Sequence, residues 1–148
     1  MNLKVKVKLS EGAVMPFYSK EGDNGLDLTA ISKEIVNEKD HGYIEYETGV
    51  AISVPEGYVG LVYPRSSISK TGMILANNVA VIDNNYTGTI KLRFKWIPDT
   101  KMYEPGDKIG QLIFTTCPKI EFEQVDELSE TVRGEQAFGS SDEKVKEI

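Results

Sequence analysis

The side chains able to do chemistry in this 148-residue sequence gather in five short stretches. In "NNVAVIDNNYTG" (77–88), Asp83 ends an apolar run, Val79-Ala80-Val81-Ile82, and is followed at once by a turn-forming mixture. "DNGLDLTA" (23–30) sets Asp27 between Leu26 and Leu28. "YPRSSIS" (63–69) offers the Arg65 guanidinium, the Ser66 and Ser67 hydroxyls and backbone N–H groups where a strand gives way to a helix start. Such a junction suits phosphate oxygens. "GDKIGQLIF" (106–114) puts one amide, Gln111, inside a strand, and "RGEQAFGSS" (133–141) combines Arg133, Phe138 and Ser140. Singly, each has a plainer reading: Asp27 as a turn cap, Arg65 in a surface ion pair, Gln111 on a backbone group, and Asp83 as an Asx-turn residue.

Composition removes other chemistries. Cys117 is the one cysteine and His41 the one histidine, so internal disulfides, Ser-His-Asp hydrolysis and Cys/His zinc cages lack parts. No GxxxxGK[ST] loop is present. An enzyme built from this chain works with carboxylates, hydroxyls, amides, Arg/Lys and a hard metal ion. The net charge of −6 speaks against a broad footprint for duplex nucleic acid, so an anionic ligand needs a local cluster of donors. No apolar segment is long enough to span a membrane, and "MNLKVKVKL" alternates too regularly for a signal peptide. These features fit a cytoplasmic chain, or the host cytoplasm if the chain is viral.

The elements that must position these residues read mainly as strands. Leu3, Val5, Val7 and Leu9 alternate with lysines, as do Ile90, Leu92, Phe94 and Trp96 with Lys91, Arg93 and Lys95. Both patterns describe half-buried strands. Val50, Ile52 and Val54 alternate ahead of Pro55-Glu56-Gly57, and "YVGLVY" (58–63) and "IGQLIF" (109–114) are short apolar runs bounded by turn residues. Ile120, Phe122 and Val125 suggest a last strand. The segment 66–77 predicts one short helix, capped by Ser66 or Ser67 and stopped by Gly72. Many short strands with turn punctuation predict an all-β, jelly-roll-like barrel over residues 1–128. From 129 to 148 the polar, Gly/Ser-bearing composition predicts a flexible tail, in which Phe138 has no local core.

Taken together and in order, the five stretches resemble the five motifs of the trimeric dUTPase family, over roughly residues 23–141. The resemblance implies a jelly-roll β protomer, a homotrimer with active sites at subunit boundaries, and Mg²⁺-dependent hydrolysis of dUTP to dUMP and pyrophosphate. That reaction limits uracil incorporation into DNA and supplies dUMP for dTMP synthesis. The resemblance implies that Asp27 holds the metal through water, and that Arg65, Ser66, Ser67 and Gln111 contact the phosphates. Asn77, the backbone of Val81 and Ile82, and Lys91 would read the uracil. Tyr86 would pack under the deoxyribose and exclude a 2′-hydroxyl, while Asp83 would orient and deprotonate the attacking water. The tail of another subunit would bring Phe138 over the base, with Arg133, Gly139 and Ser140 near the γ-phosphate. Ala80, Ala137 and Asp142 depart from family glycines without removing a reacting group.

Three rivals stand beside this. A dCTP deaminase shares the scaffold but uses a catalytic glutamate, where the hairpin here presents Asp83 and Tyr86. A nucleotide-sensing trimer would bind dUTP and signal through a partner. A jelly-roll domain with fortuitous matches would do neither.

Overall fold

The computed structural model describes residues 2–39, 41–139, 141 and 142. Nine strands form in chain order: β1 (Lys6–Leu9), β2 (Leu26–Thr29), β3 (Ser32–Val36), β4 (Tyr43–Ser53), β5 (Tyr58–Tyr63), β6 (Met73–Leu75), β7 (Ala80–Ile82), β8 (Thr89–Trp96) and β9 (Lys108–Thr116). One sheet runs β1-β4-β8-β6, with β3 also on β4; the other runs β2-β9-β5-β7. All the strand pairings between them are antiparallel, which accords with the all-β expectation.

Strand period decides which side chains go inside. On β8, Ile90, Leu92 and Phe94 are buried while Lys91, Arg93 and Lys95 are exposed, as the alternation predicts. Phe94 meets Tyr46 of β4 edge-to-face at 5.6 Å between centroids, and Tyr103 closes the cluster at 5.9 Å from Phe94. The Tyr46 hydroxyl is satisfied by donating to Tyr103 O at 2.8 Å. Burial pushes that phenol above its ordinary pKa, so it remains a neutral donor. β4 is long enough to pair with β3 through Tyr43–Glu47 and with β1 through Val50–Ser53, because its register against β8 shifts between Glu47 and Ala51. Thr48 turns its hydroxyl to Ile90 O at 2.7 Å across this bulge. Gly49 takes φ +67° there, and a Cβ would lie 2.8 Å from Ala13 Cβ, so a side chain is excluded twice over.

Two expectations need correction. The helix over 66–77 is a single 3₁₀ turn, Ser66–Lys70, with Arg65 rather than a serine at its N-cap and no side-chain cap. It ends at Thr71, not Gly72: the Thr71 N–H and hydroxyl both donate to Ile68 O, at 2.9 and 2.7 Å. Hydroxyls that bond back to nearby carbonyls compete with helix propagation. From Met73 onward, pairing with β8 takes over. The expected strand over Ile120–Val125 is also missing. Ile120, Phe122 and Val125 lie exposed, since no strand of the described chain pairs with them. An alternating segment with no ladder partner has nothing to hold it extended. Among the described residues, no helix is long and apolar enough to cross a membrane.

Candidate active site

Asp27 is held by three side chains at once. It sits on β2, buried, in register with Gln111 of β9. Arg65 Nε donates to its Oδ1 at 2.8 Å, while Ser19 Oγ and Lys108 Nζ reach Oδ2 at 2.5 and 3.0 Å. Burial alone would raise the Asp27 pKa. The Ser19 hydroxyl, Lys108 and the Arg65 guanidinium outweigh it and hold the carboxyl below its ordinary value. Two cations against one carboxylate leave the surroundings locally positive in an acidic chain.

Beside this ion cluster opens a small polar cleft lined by Asp23, Asn24, Gly25, Arg65, Ser66 and Gln111. The Gln111 amide donates to Pro64 O at 3.1 Å, which ties β9 to the start of the 3₁₀ turn. Gly25 must be a glycine, because a Cβ there would run into the Gln111 side chain. The plain reading of Gln111 as a partner for backbone is therefore correct. It also leaves the amide oxygen facing the cleft wall at Gly25.

Lys108 and Ser19 were not among the sequence-derived candidates. In a regular strand, Lys108 and Gln111 are three apart and face opposite sides. Here the pairing jumps from Leu28↔Gly110 to Thr29↔Lys108, so Ile109 is an extra residue and the bulge turns both side chains toward Asp27. Ile109 and Gly110 are both buried, in keeping with that jump. A bulge is set by the partner strand, so no signal in "GDKIGQLIF" announced it.

The second group of candidates lies around the β6–β7 and β7–β8 turns. Asn77, Ala80, Tyr86, Lys91 and Arg93 line a separate pocket of about 400 Å³, with Glu45 behind them. Asn78 carries the chain from one sheet to the other at φ +57°, its N–H donating to Leu75 O at 3.1 Å. β7 is the edge strand of its sheet, so half of the backbone donors and acceptors of Val81 and Ile82 stay outside the ladder. Tyr86 folds back over Gly88 and donates to Thr89 O at 2.7 Å. A Cβ on Gly88 would lie 2.7 Å from that hydroxyl, so the glycine makes room for the ring. Lys91 and Arg93 both reach Glu45, at 3.1 and 2.7 Å. Ala80, which stands where the family has a glycine, is part of the lining of this pocket.

Asp83 stands exposed at the end of β7, and its carboxylate makes no hydrogen bond among the described residues. Its backbone carbonyl closes the turn by accepting from Tyr86 N at 3.1 Å. The side chain that anchors the turn is instead Asn84, whose amide reaches Val54 O, Pro55 O and Tyr58 O at 3.1, 2.7 and 3.3 Å. Asp83 is thus a free carboxylate on a tip that its neighbour pins down.

Sheet register separates the two groups. Asp27, Gln111 and Tyr63 form one row across β2, β9 and β5. On β7, Ile82 pairs with Gly60, so Asp83 falls beside Val59 at the far end of β5. Strand rise and strand spacing then put Asp27 and Asp83 on the order of 20 Å apart within one protomer. In the tail, Arg133 Nε donates to Gln136 O at 3.0 Å, while Phe138 is fully exposed and Gly139 takes φ +84°. Ser140 lies outside the described residues.

Comparison with known proteins bears on this geometry. The dUTPase family profile matches residues 11–142. The deoxyuridine 5'-triphosphate nucleotidohydrolase of Fusobacterium nucleatum is 36% identical over 139 residues, spanning 93% of this chain and 95% of that protein. Among solved structures, the dUTPase of Staphylococcus bacteriophage 80alpha with dUPNHPP superposes with a TM-score of 0.77 at 27% identity, over 95% of this chain and 99% of that one. A mutant dUTPase of S. aureus phage phi11, solved for its coordination of a structural Mg(II) ion, gives a TM-score of 0.68 at 26% identity, over 84% of this chain and 98% of that one.

Proposed function

This chain belongs to the dUTPase family and hydrolyses dUTP to dUMP and pyrophosphate, and on that premise we propose that more than one protomer composes each active site. The observation that carries this reading is the separation of Asp83 from the Asp27–Arg65 cleft across the sheet. A general base works within about 3 Å of the water it activates. One protomer alone keeps its base far from its phosphate cleft, so the hairpin of one copy must meet the cleft of another. A closed cyclic homotrimer, with three sites at its boundaries, satisfies this for every copy at once.

Within such a site the roles divide by residue type. Asn77, the free backbone edge at Val81 and Ile82, and the backbone of Lys91 bind the uracil edge. Tyr86 packs under the deoxyribose. Arg65, Ser66, Ser67 and Gln111 of the second copy hold the phosphates, where donors aimed at developing charge are most effective. Asp83 accepts a proton from the attacking water and directs its oxygen in line at the α-phosphorus. The bond from that phosphorus to the α–β bridging oxygen breaks, and pyrophosphate leaves with the electron pair. The tail of a further copy covers the base with Phe138 and brings Arg133, Gly139 and Ser140 to the phosphates, excluding water as a lid does.

The donor set suits Mg²⁺ held through water. Among the described residues, no three His, Cys, Asp or Glu side chains gather into a metal cage. Asp27 is a single carboxylate whose oxygens already accept from Arg65, Ser19 and Lys108. Such a group fits an ion that keeps its waters and arrives on substrate phosphates. When bound, the ion screens the triphosphate, whose charge of about four negatives repels a nucleophile. A cytoplasmic location, or a host's cytoplasm for a phage-borne chain, suits this substrate.

The test is pyrophosphate release from dUTP, dTTP, dCTP and UTP, each with and without Mg²⁺. Strong preference for dUTP, dependent on Mg²⁺, is the expected result. Ammonia release from dCTP would overturn the assignment in favour of deamination.

A further inference from the structure

A second cleft, of about 350 Å³, also has Arg65 in its wall. Arg65, Ser67, Lys70, Lys101, Tyr103 and Lys108 line it. Four of the chain's 17 basic residues therefore face one small cavity of a protein whose net charge is −6. Chance scatter of surface lysines does not favour that in an acidic chain. Asp107 also lines the cleft, but its Oδ2 is already occupied by the Glu104 N–H at 2.8 Å. Lys70 and Lys101 form no ion pair among the described residues. Their backbones are nonetheless held together. Gly72 N donates to Lys101 O at 3.1 Å, and a Cβ at Gly72 would collide with Thr100, so the two segments touch at a glycine. The Ser67 and Tyr103 hydroxyls lie 3.4 Å apart, adding neutral donors to the wall.

We propose that this cleft is a second anion site that takes inorganic pyrophosphate, next to the substrate's phosphate cleft, with Arg65 in the wall of both and Ser67, proposed above as a phosphate contact, in the wall of this one. The idea rests on dUTP hydrolysis, which generates pyrophosphate in the neighbouring cleft that Arg65 also lines. A compact anion with charge at both ends can engage several of these four cations at once, which a single phosphate does less well. Because Arg65 borders both clefts, an anion in the second one offers the guanidinium an alternative partner as the product leaves.

The experiment uses the full chain, after its dUTP turnover has been measured, so that failure of the enzymatic reading is seen separately. The active sites are saturated with a non-hydrolysable α,β-imido analogue of dUTP, and pyrophosphate is titrated by calorimetry. One pyrophosphate per protomer is expected to bind. The double variant Lys70→Gln/Lys101→Gln should weaken that binding about tenfold, because two charge-assisted contacts are lost at a solvated site. Its KM for dUTP should stay within about twofold of wild type, since neither lysine lines the substrate's cleft. No binding to the analogue-saturated protein, or equal binding by the variant, would overturn the proposal. Monophosphate binding as tightly as pyrophosphate would overturn the assignment of the ligand.

Discussion

Asn84→Ala should cut the turnover number while leaving substrate affinity nearly intact. The Asn84 amide carries two hydrogens, shared among the carbonyls of Val54, Pro55 and Tyr58 at 3.1, 2.7 and 3.3 Å. The bonds to Pro55 O and Tyr58 O are exposed, so those carbonyls regain water when the amide is removed, and only the bond to Val54 O is part-buried. The loss is therefore at the modest end for hydrogen bonds, about 1–2 kcal/mol in total. Asn84 lines neither the base pocket nor the phosphate cleft, and its side chain hydrogen-bonds to no residue that does. Its removal lets the hairpin tip, and Asp83 with it, move relative to β5. A displacement of about 1 Å at a reacting group can cost about a hundredfold in rate. The expected result is a fall in kcat of about tenfold to a hundredfold with KM for dUTP changed less than about threefold. Steady-state kinetics and a urea midpoint on the same preparation check both parts. Asn84→Asp, which keeps the shape but turns donors into acceptors facing three carbonyls, should be at least as impaired. An alanine variant with kcat within twofold of wild type would refute the view that Asn84 positions the base.

Tyr86→Ala should open the space under the sugar and raise the UTP-to-dUTP ratio of kcat/KM by about tenfold, measured by pyrophosphate release; an unchanged ratio would remove Tyr86 from sugar selection. Asp27→Asn leaves Arg65 and Lys108 unpaired and should cost about 2 kcal/mol at pH 7, below the range for fully buried pairs because both cations are partly exposed. The Asp27 carboxyl is held below its ordinary 3.8, so its stabilisation is present above that pH and is lost as pH falls through the depressed value. Urea midpoints of wild type and Asp27→Asn should therefore draw together as pH falls below 3.8 and meet only below the depressed value; a gap that persists in strong acid would assign the loss to packing. Truncation after Glu130 removes Arg133 and Phe138 and should abolish most turnover without lowering the urea midpoint, since the described residues of the tail lie exposed; undiminished turnover would end the lid role.

The parts of the molecule legible in the sequence are those governed by local period and local chemistry. β8 and β5 are readable because alternation and turn residues mark them without reference to a partner. Asp83 and Asn84 show the limit of that logic. The turn was visible, but the residue that anchors it depends on carbonyls of the β4–β5 turn, far away along the chain. Lys108 was hidden for the same reason, since the bulge that aims it at Asp27 belongs to its pairing with β2. The segment Ile120–Val125 has the period of a strand and no pairing partner among the described residues. Period reports a propensity to pair, and the partner decides whether pairing occurs.

The composite site can be tested by mixing two inactive chains. Asp83→Asn lacks the proposed base but keeps its phosphate cleft; Arg65→Ala keeps the Asp83 carboxylate but has lost the guanidinium. Each is first shown to be inactive alone, and the two are then unfolded, combined in equal amounts and refolded together. If base and phosphate cleft come from different protomers, random trimers contain intact sites, and activity should return to about a quarter of the wild-type level. If each protomer supplied both groups to its own site, every site in the mixture would carry one lesion, and the mixture would stay as inactive as its parents.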